Sequence, residues 1–320
     1  MKPLSPFLEG TKIQYAWDST SLGYLKTCPR LYQFIMIEGW QPKGDSVHLR
    51  FGIEYHKALE EYDEERMAGM GHEEALCSAV LKLLRRVHDW DVDVTTRAGN
   101  YKNPRTLLQL VIDYCDKFKD DPASTVVREN GDPATELSFR FELEWGPKAA
   151  NLGIDQTSQP YILSGHLDRV VDYCGSLLVM DHKTTITTPG AMYFDQYSPN
   201  NQMSLYTIAG KVILNMPVKG ICINAAQIML EKPNNFVRGF TYRTDAQSNE
   251  WLNDLRFWFH QAETYAKMNY WPMNDTSCDK FGGCRFREIC SRDPSVREAF
   301  LKANFTKLPE EERWNPLKPR

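Results

Sequence analysis

The chain has no long apolar run. Its most hydrophobic stretch, Ile221–Leu230, is broken by Asn224 and Gln227, far short of the ~20 residues that a membrane-spanning helix needs. The first twenty residues carry Pro3, Pro6, Glu9 and Asp18 with no apolar h-region, so no signal peptide is read there and a cytoplasmic location is expected. Internal repeats, low-complexity linkers and a G-x-x-x-x-G-K-[ST] phosphate loop are all missing, which excludes solenoids, collagen-like arrays and a built-in motor of that type. Excess positive charge is missing too. The formal net charge is −4, so nucleic acid would have to meet a local basic surface and not bulk charge. The close cysteine pair C-x2–4-C that marks many zinc sites is likewise absent.

What is present is an ordinary globular composition, 42% hydrophobic and 25% charged over 320 residues, enough to build a core and too apolar for disorder. Eight cysteines are the first informative count, because a reducing compartment disfavours structural disulfides and points clustered thiols toward metal or catalysis. Cys77, Cys115, Cys174 and Cys222 stand singly among apolar residues and read as small buried hydrophobes. Cys278, Cys284 and Cys290 recur every six residues in a stretch holding Gly282, Gly283 and little aliphatic material. Such thiolates are poor core residues and good soft-metal ligands. Zinc or a cubane cluster needs a fourth ligand. Cys28 is the candidate, since Pro29 can end one helix and open the next with the thiol at the break.

Periodicity gives helices, then sheet, then helices. Helices are expected from a Ser19 or Thr20 cap to Leu25, over 29–37, 47–67 and 72–89, and from Pro104; strands over 125–129, 136–145, 161–173 and 176–183. A helix follows Ser198-Pro199, then strands over 220–230 and 236–242 and a helix over 245–268. One domain spanning 1–320 is expected. It has a helical N-terminal part over 19–120, a sheet core over 125–243, and a C-terminal helix and cysteine segment over 245–290 that Cys28 completes.

The chemistry sits in SGHLDRVVDYCGSLLVMDHKTT. If Cys174-Gly175 is the centre of a hairpin, with glycine supplying the positive φ of a primed turn, then Tyr173 pairs with Ser176 and Asp168 falls opposite Asp181. Residues i and i+2 share a face, so Lys183 joins the two carboxylates. Such a set suits a hard divalent cation with an ammonium beside it, and hydrolysis of a phosphodiester. Hairpin geometry alone also admits, and more commonly yields, a surface salt bridge. By the same register His166 faces Lys183, where it can touch a phosphate or simply pack. Glu136 opens an alternating strand; it reads as a solvent-face acid or as a group standing behind the metal. Gln202 and Tyr206 are i and i+4 on a helix with Ser198 as N-cap and Pro199 at N1, so they share a face.

GHLDRV followed by MDHKTT resembles the second and third motifs of the PD-(D/E)XK nuclease superfamily, in its RecB-like branch. FGIEYHKALEEY resembles that branch's first motif, matched at His56, and NQMSLY its Gln-x-x-x-Tyr motif, matched at Gln202 and Tyr206. SLGYLKTCPRLYQF and the cysteine trio resemble the iron–sulfur staple of CRISPR-associated and AddB-type exonucleases, although five residues separate both neighbouring cysteine pairs where those relatives have a tighter first pair. The resemblance implies an α/β, restriction-endonuclease-like mixed β-sheet flanked by helices, its two ends joined by a cysteine-ligated cluster. It implies Mg²⁺ or Mn²⁺ held by His56, Asp168, Asp181 and the His182 carbonyl, with Lys183 orienting or deprotonating the attacking water. Gln202 and Tyr206 would hold the DNA strand over the metal, and Cys28, Cys278, Cys284 and Cys290 a 4Fe-4S cluster, with zinc the alternative.

The activity implied is an exonuclease on single-stranded DNA or DNA ends in recombination, repair or DNA processing, with a helicase or recombination partner fitting the missing motor. A non-catalytic DNA-binding or helicase-partner subunit, stapled by a metal–cysteine site, is the other reading; the presence of every matched carboxylate and of Lys183 argues against it. Basic residues concentrate over 82–105, mixed with Asp89, Asp91 and Asp93, as on a solvated face. The exception is the loop TTRAGNYKNPR, where Arg97, Lys102 and Arg105 can grip phosphates and Tyr101 can stack a base.

Overall fold

The computed structural model describes residues 4–44, 46–147, 159–279 and 283–318; Gly282 of the cysteine loop lies outside them. In chain order the elements are β1 (Ala16–Trp17), α1 (Ser19–Thr27), α2 (Pro29–Tyr32) widening into a π-helical turn (Gln33–Ile37), β2 (Trp40–Pro42), α3 (Val47–Met67), α4 (His72–Val87), α5 (Arg97–Tyr101), α6 (Pro104–Lys117), β3 (Ala123–Thr125), β4 (Thr135–Glu142), β5 (Ile162–Tyr173) and β6 (Ser176–Thr185). There follow α7 (Ala191–Asp195), α8 (Asn201–Leu214), β7 (Gly220–Gln227), β8 (Asn235–Tyr242), α9 (Asp245–Met268), α10 (Arg287–Ser291), α11 (Arg297–Asn304) and β9 (Phe305–Lys307). Among the described residues no helix is long and apolar enough to cross a membrane.

Two compact units divide the chain. The first gathers Met1–Gly44, Ser138–Gly165 and Asp245–Arg320. In it β1 runs parallel to the start of β5, Ala16 against Ile162, and β2 pairs antiparallel with β9. Trp17 stacks on Tyr32 and on Phe259 of α9 at centroid distances of 5.6 and 4.8 Å, and Tyr161 of the middle segment packs on Phe259 at 4.6 Å, so burial of large rings holds the three segments together. The cap of α1 is Asp18 and not Ser19 or Thr20: its carboxylate accepts the Ser21 N–H at 2.8 Å in a full capping box.

The second unit comprises Asp45–Leu137 and His166–Thr244. Here β3, β5 and β6 are antiparallel neighbours, β7 joins β6 in parallel, and β8 closes antiparallel on β7, a mixed sheet. Phe51, Tyr55 and Leu59 of α3, Ala79 and Leu83 of α4, and Leu110 and Tyr114 of α6 share one core with Ala226 and Phe236 of the sheet and Ile228 just past β7. The apolar stripes expected at helical spacing are those that meet there. On α8, a methyl group at Gly210 would lie 3.1 Å from Val179 of β6, so that glycine lets helix and strand approach closely.

The isolated cysteines do not all behave as small hydrophobes. Cys115 and Cys222 are buried, but Cys77 and Cys174 are exposed. Cys174 sits in the hairpin turn with φ of 52°, and Cys77 faces outward on α4 beside the buried Ala75 and Ala79.

Candidate active site

Cys174 and Gly175 both take positive φ, 52° and 78°, and the β5–β6 ladder runs from Tyr173↔Ser176 to Arg169↔Met180. Asp168 and Asp181 are the next residues along the two strands, just beyond the last backbone-paired position. At that step the Asp168 side chain takes over from the backbone: its Oδ2 accepts the His182 N–H at 2.9 Å. Asp181 is buried and receives Lys183 Nζ on Oδ1 at 2.9 Å. Its Oδ2 lies 2.7 Å from the same ammonium as an ion pair, yet without the alignment of a hydrogen bond.

Three further elements reach this point. From α3, whose N-cap Ser46 accepts the Leu49 N–H, His56 sets Nδ1 3.3 Å from Asp168 Oδ2 and Nε2 2.9 Å from the His182 carbonyl. From α8, Gln202 Oε1 accepts from Lys183 Nζ at 3.3 Å and Gln202 Nε2 donates to Tyr206 Oη at 2.9 Å. The i, i+4 spacing thus extends a polar line from Asp181 through Lys183 and Gln202 to Tyr206. This helix starts later than expected. Asn200, not Ser198, is the cap, its side chain accepting from the N–H of Gln202 and Met203, and Pro199 precedes the helix instead of opening it. From β4 comes Glu136, whose ligand oxygen lies with a His56 ring nitrogen and an Asp168 carboxylate oxygen inside 4.8 Å. Glu136 has φ of 42°, a left-handed backbone that a non-glycine residue adopts at a cost and that clusters at functional sites.

Electrostatics separate the two carboxylates. Burial opposes ionisation of Asp168, but the neighbouring His56 and Lys183 outweigh it and hold this carboxyl well below the usual range. Burial pushes Asp181 up; Lys183 pulls it back, and the charge of Asp168 adds to the rise. His56 and Lys183 are pushed down by burial and more than restored by the carboxylates, so both hold their protons more tightly than usual. His182 turns its ring away, to Asn224 Nδ2 at 3.2 Å, and burial lowers its pKa to about 3.

A hard cation fits this donor set. Asp168, Glu136 and the His56 imidazole converge there, and the buried Asp181, with an oxygen lacking a hydrogen bond, lies within the field of Asp168 and His56 without joining that group. This is the oxygen-rich chemistry that Mg²⁺ or Mn²⁺ prefers.

Sequence reasoning set Glu136 behind the metal and missed two tyrosines. Tyr193 of α7 stands close enough to Lys183 and Asp181 to share their field, and Tyr197, four residues on, donates to its hydroxyl at 3.3 Å. Their i, i+4 spacing just after Lys183 was the available signal. The basic loop is different from its expectation. Residues 97–101 form α5, Tyr101 packs against the core, and Lys102 is 7% exposed. Tyr101 is therefore not an open stacking platform. Arg97 and Arg105 are exposed, and Arg105 lines a cavity of about 950 Å³ with Lys117 and Lys232.

In the first unit, Cys28, Cys278, Cys284 and Cys290 all line one cavity of about 220 Å³. Cys28 Sγ accepts the Asn274 N–H at 3.3 Å, and the Cys284 N–H donates to the Cys278 carbonyl at 2.8 Å. The sulfurs sense one another: burial raises Cys278 and Cys290, and the charges of Cys284 and Cys28 add to each rise.

The family profile of the PD-(D/E)XK nuclease superfamily matches residues 19–291, and the chain belongs to that superfamily. No curated protein matches it. Among solved structures it is similar to a candidate exonuclease from Eubacterium rectale, at 12% identity over 89% of this chain and 92% of that one with a TM-score of 0.47. It is also similar to the protein SSO0001, at 12% identity over 88% and 89% with a TM-score of 0.33.

Proposed function

We propose that this superfamily member is a divalent-metal-dependent deoxyribonuclease that hydrolyses phosphodiester bonds in single-stranded DNA or at DNA ends. The observation that carries the reading is the convergence of His56, Glu136 and Asp168, with the Asp181–Lys183 ion pair alongside and one buried Asp181 oxygen that lacks a hydrogen bond. A bound Mg²⁺ or Mn²⁺ would lower the pKa of its water and neutralise phosphoryl oxygens. His56, Asp168, Asp181 and the His182 carbonyl are the groups that would hold it, with Glu136 as a further donor. The raised Lys183 is an ammonium, and it serves to orient water and to offset the charge that grows on the phosphate. Gln202 fixes that ammonium from the other side and, with Tyr206, presents hydrogen-bonding groups to a strand. Action at ends and on single strands rests on the motif resemblance to the exonucleases.

We read the four cysteines as ligands of a 4Fe-4S cluster. The reading rests on the motif resemblance to the iron–sulfur exonucleases and on all four thiols lining one cavity.

End-labelled single- and double-stranded DNA incubated with Mg²⁺ or Mn²⁺ tests the activity. Cleavage should stop with EDTA and return on adding metal, and Asp168→Asn, Asp181→Asn or Lys183→Ala should each lower it at least a hundredfold. Undiminished cleavage by any of these variants, or cleavage indifferent to EDTA, would sink the assignment.

A further inference from the structure

Most buried and half-buried cations in the second unit have anionic partners. Arg169 pairs with Asp63, Arg238 with Asp121, Arg86 with Glu54 and Glu61, and Lys183 with Asp181. Arg243 lacks a carboxylate, but four oxygens, those of Ser204, Thr241, Tyr242 and Tyr197, satisfy its guanidinium. Lys102 is the exception. It is 7% exposed, and an ammonium has three donors to place. One goes to the neutral Thr184 Oγ1 at 3.2 Å, and the charge otherwise rests 5.4 Å from the Phe51 ring centroid. Burial pulls this lysine down to about 8, the mark of a cation taken from water without an anion in return.

Its surroundings point to what the anion is. Thr184 follows Lys183 on β6 and so faces the other side of the sheet, the side of His182, whose carbonyl His56 contacts. The exposed His48 in the first turn of α3 lies within the field of Lys102. His48, Gly52 and His56 succeed one another at four-residue steps on one face of that helix. A methyl group at Gly52 would meet nothing within 4 Å, so the helix is uncovered midway between the exposed His48 and the half-buried metal-site histidine. At 1.5 Å per residue the two imidazoles are about 12 Å apart along the helix, the span of about three to four phosphates at the duplex rise and fewer in an extended strand.

We propose that Lys102, with Thr184 and His48, forms a phosphate subsite that grips a non-scissile backbone phosphate of the substrate strand a few nucleotides from the point of cleavage. The proposal rests on the nuclease reading and adds a positioning residue to it. The phosphate supplies the counter-ion that the folded protein withholds from this lysine. The subsite sets a minimum length for tight binding.

Fluorescence anisotropy of the full chain with a length ladder of labelled single strands, in EDTA so that no cleavage intervenes, tests this. Lys102→Met should bind strands long enough to reach the subsite about tenfold more weakly. It should match the parent on shorter strands and show a salt dependence shallower by about 0.7 in slope. Its melting temperature should equal or exceed the parent's, because a buried charge without a partner has been removed; a lysine needed only for folding would instead lower the melting temperature and leave the slope alone. A second probe avoids the variant: a neutral methylphosphonate walked along the strand should weaken binding to the parent at one position a few nucleotides from the cleavage point, and should cost nothing further in Lys102→Met. Parent-like affinity and slope in the variant, or no sensitive position in the scan, overturns the subsite while the nuclease reading stands. Absence of any DNA binding or cleavage by the parent overturns both.

Discussion

His56 and His182 lie 126 positions apart in sequence and meet at one point, yet they answer protons in opposite senses. His56 is held protonated by Asp168. Its contribution is fully present below the unfolded value of about 6.5 and fades as pH rises through its higher folded pKa. His182 is enclosed by Tyr55, Tyr114 and Asn224 and stays neutral down to about 3. The unfolded chain takes up a proton there that the native chain refuses, so stability contributed by His182 is present above about 6.5 and is lost as pH falls toward 3. A depression of this size corresponds to on the order of several kcal/mol when fully expressed. Urea midpoints measured from pH 7 to pH 4 should fall steeply in the parent, and His182→Asn should flatten that acid limb, whereas His56→Gln should steepen it. An unchanged acid limb in His182→Asn would show that this ring does not carry the linkage.

Single elements explain what could be read from the sequence and what could not. The β5–β6 register was legible because a two-residue turn with positive φ fixes every pair beyond it, and Arg169↔Met180 follows from Cys174-Gly175 alone. His56 and the Gln202–Tyr206 pair needed the motif resemblance, since a lone helix histidine or an i, i+4 polar pair has no local mark of function. Glu136 was legible only as an acid at the head of a strand; its place beside Asp168 depends on a left-handed backbone that no neighbouring glycine announces. The start of α8 was misplaced because both Ser198 and Asn200 are good caps, and tertiary packing chose the asparagine that takes two N–H groups. Gly239 of β8 was an unread signal. A glycine inside a strand often marks a close approach, and here a methyl group would overlap the Phe194 ring of α7, the residue next to Tyr193. Gly239→Ala should therefore push α7 outward, destabilise by about 1–3 kcal/mol and lower cleavage along with it. A thermal melt and an activity assay on that variant check both; parent values in each would mean that Phe194 moves aside freely.

On the scale of the whole chain, the first unit is assembled from three separated segments, and the cavity lined by the four cysteines draws them from the first segment and the last. The entire sequence of the second unit lies between Cys28 and Cys278. A metal cluster joining them closes a loop of 250 residues in the unfolded state. The entropy so removed grows only logarithmically with loop length and is worth about 5 kcal/mol by analogy with a disulfide. Protein purified without air should be brown and contain iron and sulfide if the cluster is 4Fe-4S, and colourless with one zinc per chain if it is not. Cys28→Ser should lose metal and stability as Cys284→Ser does, because both thiols line the same cavity although they are far apart in sequence. Cys77→Ser and Cys174→Ser should keep full metal content, since both side chains are exposed and neither lines that cavity. Full metal and an unshifted melting temperature in Cys28→Ser would leave the trio to find its fourth ligand elsewhere, and the long-range closure would then contribute nothing to the stability of the fold.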